Sequence, residues 1–448
     1  MDPVTVSDTV EQMMPEVIDD LEALVGHASV AFPGYPEEPV RATADATVGL
    51  LRRYGLESAR LLDIPGGYPA VYGEAPPPPG APTMLLYAHY DVQPASREQG
   101  WTSDPWILTE RGGRLYGRGA ADDKSGILMH AAALRLFAGR YPVGIKLVIE
   151  GEEETASHLD ACVREHPELF RANAAIVADM GNLAVGEPAL TVTLRGDVSL
   201  ELTVRTLDHG LHSGEFGGPV PDAMMALVRI LDSFVDQNGD VAVAGLAGYD
   251  WPGIDYPVEE LRATSGLRQG VATIGTGSPS SLLWSRPTAT VIGIDAPTVR
   301  AASNTLLPVA RAKVTFRIAP GADPEVEAKA ILEHIRAHTP FGAEVDVELG
   351  KASPAFEAPR GGPAHAAARR ALSDAYGKPC GEVGSGGSIP LLSTLAAASP
   401  GAEFLLFGAE DMAEARIHGT DESVDIDELR RMIVAEALTL RYLAESWR

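Results

Sequence analysis

The chain has 448 residues, 45% of them hydrophobic and 22% charged, which is ordinary usage for a folded protein and argues against disorder as its main theme. Its 62 acidic residues against 36 basic ones give a formal charge of -26, which repels phosphate backbones and anionic lipid and so argues against nucleic acid and membrane partners. Cys162 and Cys380 are the only cysteines and stand far apart, so neither a disulfide framework nor a cysteine metal site is expected.

In chain order, residues 6–28 read as an acidic, amphipathic helix without the basic and then apolar order of an export signal. No apolar run anywhere reaches the roughly 20 residues of a membrane span, so a cytoplasmic location is expected. A helix over 43–54 and a proline-rich turn at 76–82 precede an apolar run at 83–88, which predicts a buried strand. Further runs at 143–149, 174–178 and 403–407 have the same character, with helical patterns at 126–137, 363–376 and 427–444 between or after them. Strands alternating with helices predict an α/β fold whose sheet is mostly parallel and covered on both faces. The pattern changes in the middle: strand-like segments at 189–194 and 198–206, a helix at 222–234, strands at 288–294 and 310–318, a helix at 323–338 and a strand at 344–349. That order predicts a ferredoxin-like α+β unit inserted in the larger one, dividing the chain into 1–189 with 351–448 and an inserted 190–350. A chain of this length has room for two cores.

Metal-binding residue types follow each buried strand. The run at 83–88 leads into His89, Tyr90 and Asp91; the run at 143–149 into Glu150, Gly151, Glu152, Glu153 and Glu154; the run at 174–178 into Asp179. Carboxyl ends of parallel strands line one crevice, so these groups are expected to converge. Adjacent glutamates repel one another unless cations sit nearby, and two divalent ions would remove that cost. Acidic clusters are also often plain solvated loop faces, a reading weakened here by the adjoining strand. His89 and Asp91, two apart on extended chain, point to the same side. The glycines of the segment 117–126 let the backbone turn and leave Asp122 and Asp123 at a helix start. One of that pair is open to a purely structural role as N-cap, which is assigned to Asp123, and metal bridging to Asp122.

These motifs, with Leu211-His-Ser-Gly214, Gly386-Gly-Ser-Ile-Pro390 and the late His418, resemble in content and order the aminoacylase and carnosinase family of two-zinc metallopeptidases, on its carnosinase-like dipeptidase branch. The resemblance spans nearly the whole chain. It implies a zinc-peptidase-like catalytic domain with a lid and dimerisation domain, acting as a homodimer. It further implies His89 and Asp179 on one metal, Glu154 and His418 on the other, and Asp122 bridging both, with Asp91 orienting His89. Glu153 matches the general base, working on a water shared by the two ions, and Glu152 is left as a solvent-facing neighbour. The ions implied are zinc, with manganese or cobalt also compatible with a carboxylate-rich site. His212 resembles the residue that reaches the partner subunit's site to stabilise an oxyanion. The competing view is a helix-start histidine satisfied locally. Arg317 resembles the arginine that holds the substrate carboxylate, though it could be an ordinary exposed arginine; Gly386, Gly387 and Ser388 resemble the small-residue loop offering N–H groups to that carboxylate, and Thr305 a lid position touching substrate. Two departures stand out: Val383-Gly384-Ser385 occupies the place of a common Arg-Glu pair, and Lys124-Ser125-Gly126 that of the usual Lys-Gly.

The function expected is hydrolysis of the amide bond of dipeptides. A deacylase acting on N-acyl-amino acids or a succinyl-diaminopimelate-type substrate would use the same metals and base. From another class, a non-catalytic peptide-binding protein would keep the cleft and dispense with the base. A metallophosphoesterase is disfavoured, since no arginine and lysine cluster suited to phosphate accompanies the motifs.

Overall fold

The computed structural model describes residues 2–155, 157–350 and 352–447. Successive residues of a strand face opposite ways, and this alternation decides the layers. In the strand Thr83–His89, Met84, Leu86 and Ala88 join one core while Leu85 and Tyr87 join another. The same split holds in Gly144–Glu150, where Ile145, Leu147 and Ile149 oppose Val148, and in Ala174–Val177, where Ala174 and Ile176 oppose Ala175 and Val177. Strands buried on both faces read as mostly apolar runs, the signal present in the sequence, although the second is interrupted by the half-buried Lys146, whose Nζ donates to the Glu168 carbonyl oxygen. With Glu403–Leu406 they pair in parallel and form the middle of a nine-stranded sheet. Its flanks are largely antiparallel: Ala70–Ala75 and Arg60–Leu62 on one side, Ala189–Leu194 and Phe356–Glu357 on the other.

One face of this sheet is covered by the helices Pro3–Val25, Glu38–Arg53, Lys124–Arg135, Pro363–Tyr376 and Ile426–Ser446. The other carries Leu159–Glu165, Pro167–Phe170 and Leu391–Ala398. Asp2 and Asp425 cap the first and last helices, accepting from the backbone N–H groups of Val4 and Thr5 and of Glu428. Cys162 and Cys380 are both buried and free. Among the described residues no helix is long and apolar enough to cross a membrane.

The second sheet has four antiparallel strands in the order Thr288–Asp295, Val309–Ile318, Gly196–Arg205, Glu344–Leu349. Val198, Leu200, Leu202 and Val204 share a core with the helices Ala223–Asp232 and Pro324–His338, which gives the expected ferredoxin-like arrangement. One strand is placed differently from the sequence reading: Ala189–Leu194 belongs to the large sheet, so the chain leaves that sheet only after Leu194. All six of its residues are buried, as befits a strand covered on both faces rather than one with a solvated side.

The helix Lys124–Arg135 carries a histidine with no solvent exposure, His130. Its Nδ1 lies 2.9 Å from each carboxylate oxygen of Glu436 on the last helix, and its Nε2 donates to the Tyr87 carbonyl oxygen at 3.0 Å. Both ring nitrogens face acceptors, so the imidazolium form suits the site. Burial alone would lower the His130 pKa, but Glu436 and the Tyr87 carbonyl raise it. The pair therefore locks the last helix to the strand that ends in His89. We predict that His130→Ala, which leaves Glu436 buried and unpaired, lowers unfolding stability by ~3 kcal/mol. A histidine pKa raised by folding stabilises fully below its unfolded value and loses that contribution as pH rises through the folded one. The difference in thermal midpoint between wild type and variant should thus narrow with rising pH; a gap constant across the range would show that the ion pair is not its source.

Candidate metal centre and cleft

Two groups of ligand atoms lie at the carboxyl edge of the large sheet. His89, Asp122 and Asp179 each present one ligand atom, all within 4.8 Å of one another, and so do Asp122, Glu154 and His418. Asp122 is common to both. His89 is the last residue of its strand, and Asp179 follows Ala174–Val177 by two residues. Glu154 lies in the turn after Gly144–Glu150, and His418 sits in the loop before the strand Ser423–Asp425, with φ of 60°, a left-handed conformation uncommon for a residue other than glycine. His89 Nε2 is 2.9 Å from Asp122 Oδ1, while His418 Nε2 is 3.0 Å from Asp122 Oδ2 and 3.2 Å from Glu154 Oε2.

The electrostatics follow from this crowding. Hydrogen bonds donated to Asp122 and Glu154 hold the His418 imidazole up to about 10. Burial would raise the Asp122 carboxyl, but hydrogen bonds from His418 and His89 pull it well below the usual carboxylate range. Burial pushes Glu153 up to about 8 and raises Asp179 well above its ordinary value, with Glu153, Asp122 and Glu410 adding like charge to Asp179. Protons shared among imidazoles and carboxylates in this way are what divalent cations displace on binding. Two three-residue sets joined by one carboxylate fit a pair of such ions, with Asp122 in the bridging place.

Other groups hold the ligands in position. Asp91 accepts the Glu153 N–H at Oδ1 (3.0 Å) and the Glu154 N–H at Oδ2 (3.1 Å), so it clamps the turn that carries both glutamates. Its Oδ1 also lies 3.5 Å from His89 Nδ1, although that nitrogen is nearer the Asp91 carbonyl oxygen, at 3.0 Å. Glu422 accepts the N–H groups of Ala121 and Asp122 (3.1 Å each) and pairs with Arg118. Gln93 donates to Glu154 Oε2 at 2.6 Å. Glu422 and Gln93 were not singled out in the sequence, since nothing in their local pattern distinguishes them.

Asp123 occupies the N-cap position of the helix Lys124–Arg135 but its side chain makes no capping hydrogen bond. Its Oδ2 accepts the His89 N–H instead (3.2 Å), so the helix-start carboxylate serves the strand. Gly126 makes that approach possible: a Cβ there would lie 2.1 Å from Asp123 Oδ1 and 2.7 Å from the Ala178 Cβ. The Asp122–Asp123 peptide is cis. Glu152 departs from the expectation of a solvent-facing neighbour, being 8% exposed and 2.9 Å from His158 Nδ1.

A cleft of about 490 Å³ is lined by Asp122, Glu153, Asp179 and His418 together with Gly386, Gly387, Ser388, Glu410 and others. Arg317, on the strand Val309–Ile318, reaches the same loop with Nη1 3.4 Å from Ser388 Oγ. His212 and Thr305 do not line it. They face each other on a two-stranded pairing and are both exposed, and His212 Nδ1 accepts the Gly214 N–H at 3.1 Å.

A sequence profile of the peptidase family M20/M25/M40 matches residues 85–442. The chain is 40% identical over 431 residues to a cysteinylglycine-S-conjugate dipeptidase of Corynebacterium striatum, covering 94% of each chain. It is 30% identical to a beta-Ala-His dipeptidase of Rattus norvegicus, covering 72% of this chain and 70% of the relative. Among solved structures it resembles the dipeptidase Dug1p of Saccharomyces cerevisiae, with TM-score 0.83, and human carnosine dipeptidase 1, with TM-score 0.82, each at 24% identity and with 99% of both chains covered.

If Asp91 acts as a clamp, Asp91→Ala frees the Glu153–Glu154 turn and weakens divalent-ion binding about 10–100-fold. Competition with a metal chelator measures this. Unchanged affinity would mean that the turn holds its shape without the two hydrogen bonds.

Proposed function

From the chain's membership of the M20/M25/M40 peptidase family, we propose that it is a metal-dependent dipeptidase built as a catalytic unit, residues 1–189 with 351–448, and a lid, residues 190–350, whose edges shift by the few residues of the strand Ala189–Leu194. The observation that carries the reading is the sharing of Asp122 between two ligand sets beside Glu153, a carboxylate that neither set uses. His89, Asp122 and Asp179 would hold one ion, and Asp122, Glu154 and His418 the other. We assign zinc to both positions, with manganese and cobalt as the alternatives that mixed imidazole and carboxylate sites accept. When bound, two divalent ions acidify a shared water and polarise the scissile carbonyl.

The chain's own groups do the rest. Glu153, raised by burial into the neutral range, takes a proton from the attacking water and returns it to the leaving amine. Arg317 and the Gly386–Ser388 loop hold the substrate carboxylate, supported by the 3.4 Å approach of Arg317 to Ser388. The sequence likeness to the Corynebacterium striatum enzyme makes cysteinylglycine-type dipeptides the first substrates to try.

His212 enters from a second subunit. A neutral imidazole that accepts at Nδ1 carries its proton on Nε2, so His212 presents an exposed donor suited to an oxyanion. Thr305 lies opposite it in register and travels with it. A homodimer is supported by the outer strand Thr288–Asp295 of the lid sheet, where Val291, Ile292 and Ile294 are exposed, and by the exposed Met225 and Val228 on the helix Ala223–Asp232. We place the enzyme in the cytoplasm, a setting suited to two free buried thiols.

Two measurements test this. Glu153→Gln should lower kcat on a dipeptide about 10²–10⁴-fold while two ions per chain remain bound; full activity would remove Glu153 from the mechanism. Mixing inactive His212→Ala with inactive Glu153→Gln under subunit exchange should restore about a quarter of wild-type activity, since each hybrid dimer regains one complete site. No recovery would mean that His212 works within its own subunit, and a His212→Ala enzyme that is fully active alone would remove His212 from the mechanism.

A further inference from the structure

Glu410 is a carboxylate in the cleft that the mechanism above leaves unused. It is 7% exposed, lines the cleft with Asp122, Glu153 and Asp179, and among the described residues its Oε1 has no hydrogen-bond partner. Two nearby carboxylates are compensated: Asp411 accepts from Arg114 Nη2 at 2.7 Å, and Glu422 pairs with Arg118. Among the described residues no ion pair reaches Glu410, nor does it belong to either metal-ligand set. Its backbone is fixed, since Glu410–Asp411 pairs in parallel with Gly181–Asn182, just after Asp179. The approach is close enough that a Cβ on Gly181 would lie 2.5 Å from the Glu410 carbonyl carbon and oxygen. A buried carboxylate held rigidly without a partner is costly unless something cationic completes it.

A free dipeptide is a zwitterion. Its carboxylate has a recognition group in Arg317 and Ser388, while its ammonium sits one carbon from the scissile carbonyl and must lie beside the metal centre without displacing a ligand. Resting on the dipeptidase reading, we propose that Glu410 receives the α-ammonium of the substrate, so that the cleft selects dipeptides with an unmodified amino terminus over N-acylated amino acids. An N-acyl-amino acid would bring an apolar group against this carboxylate and leave it unpaired, which penalises that class strongly.

Alanylglycine and propionylglycine test the proposal, for they share the scissile amide and differ only in an ammonium group against a hydrogen. The metal-loaded, full-length enzyme should prefer alanylglycine by at least about a hundredfold in kcat/KM. Glu410→Gln should keep two ions per chain and lower kcat/KM for alanylglycine about 10–100-fold, chiefly through KM. Propionylglycine should change by less than about threefold, read as turnover or, where turnover is too slow, as its Ki against alanylglycine hydrolysis. Glu410→Asp should retain part of the preference. Equal losses on both substrates, or fewer than two ions in both variants, would overturn the ammonium assignment and make Glu410 a support of the metal centre. A wild-type enzyme that preferred propionylglycine would instead overturn the dipeptidase reading.

Discussion

Carboxylates gathered at one edge of a sheet repel one another, and the rest of this fold answers to that repulsion. Asp122, Glu153, Asp179 and Glu410 line one cleft with His418, and Asp91, Asp123 and Glu150 lie buried close behind. Burial raises the charging cost of each, which is why Glu150 and Asp123 are both pushed up to about 7. Such a cluster persists because the alternation of the parallel strands commits their side chains to two large cores, leaving only the strand ends to carry polar groups. The stability resides in those cores; the edge is where it is spent.

Positioning within the cluster depends on hydrogen bonds that tie together segments far apart in the chain. Asp91 clamps the Glu153–Glu154 turn, Asp123 holds the His89 backbone, and Glu422 holds the backbone at Asp122. Each uses a buried carboxylate to fix a main-chain N–H, so a displacement of one ligand is resisted by another segment. His130 and Glu436 extend this inward by anchoring the Tyr87 carbonyl, two residues before His89.

The parallel strands are legible in the sequence because burial on both faces leaves short, mostly apolar runs, interrupted only at Lys146 in the second, a pattern that half-solvated strands and surface helices do not share. His89, Asp122, Glu154 and Asp179 were legible in turn as polar residues at or near strand ends and at a helix start. His418 had no such local signal and came only through resemblance to a family. Glu422, Gln93 and Glu410 were not found, since their contacts are made across long separations and their local patterns are those of ordinary surface residues. Asp123 and Glu152 differ from expectation for a related reason: a helix-start aspartate usually caps and a glutamate in an acidic run usually faces water, but here a backbone N–H of the strand in one case and His158 in the other claim the side chain. The strand Ala189–Leu194 reads as part of the inserted unit yet lies in the large sheet, because apolar and polar alternation in six residues does not reveal that threonines 191 and 193 are buried as well.

The central claim is that the strand-end groups form two adjoining cation sites sharing one carboxylate. Anomalous diffraction from crystals grown with zinc tests it most directly. Two peaks are predicted about 3.5–4 Å apart, one beside His89 and Asp179 and the other beside Glu154 and His418, with Asp122 between them. A single peak, or a pair that does not share Asp122, would contradict it.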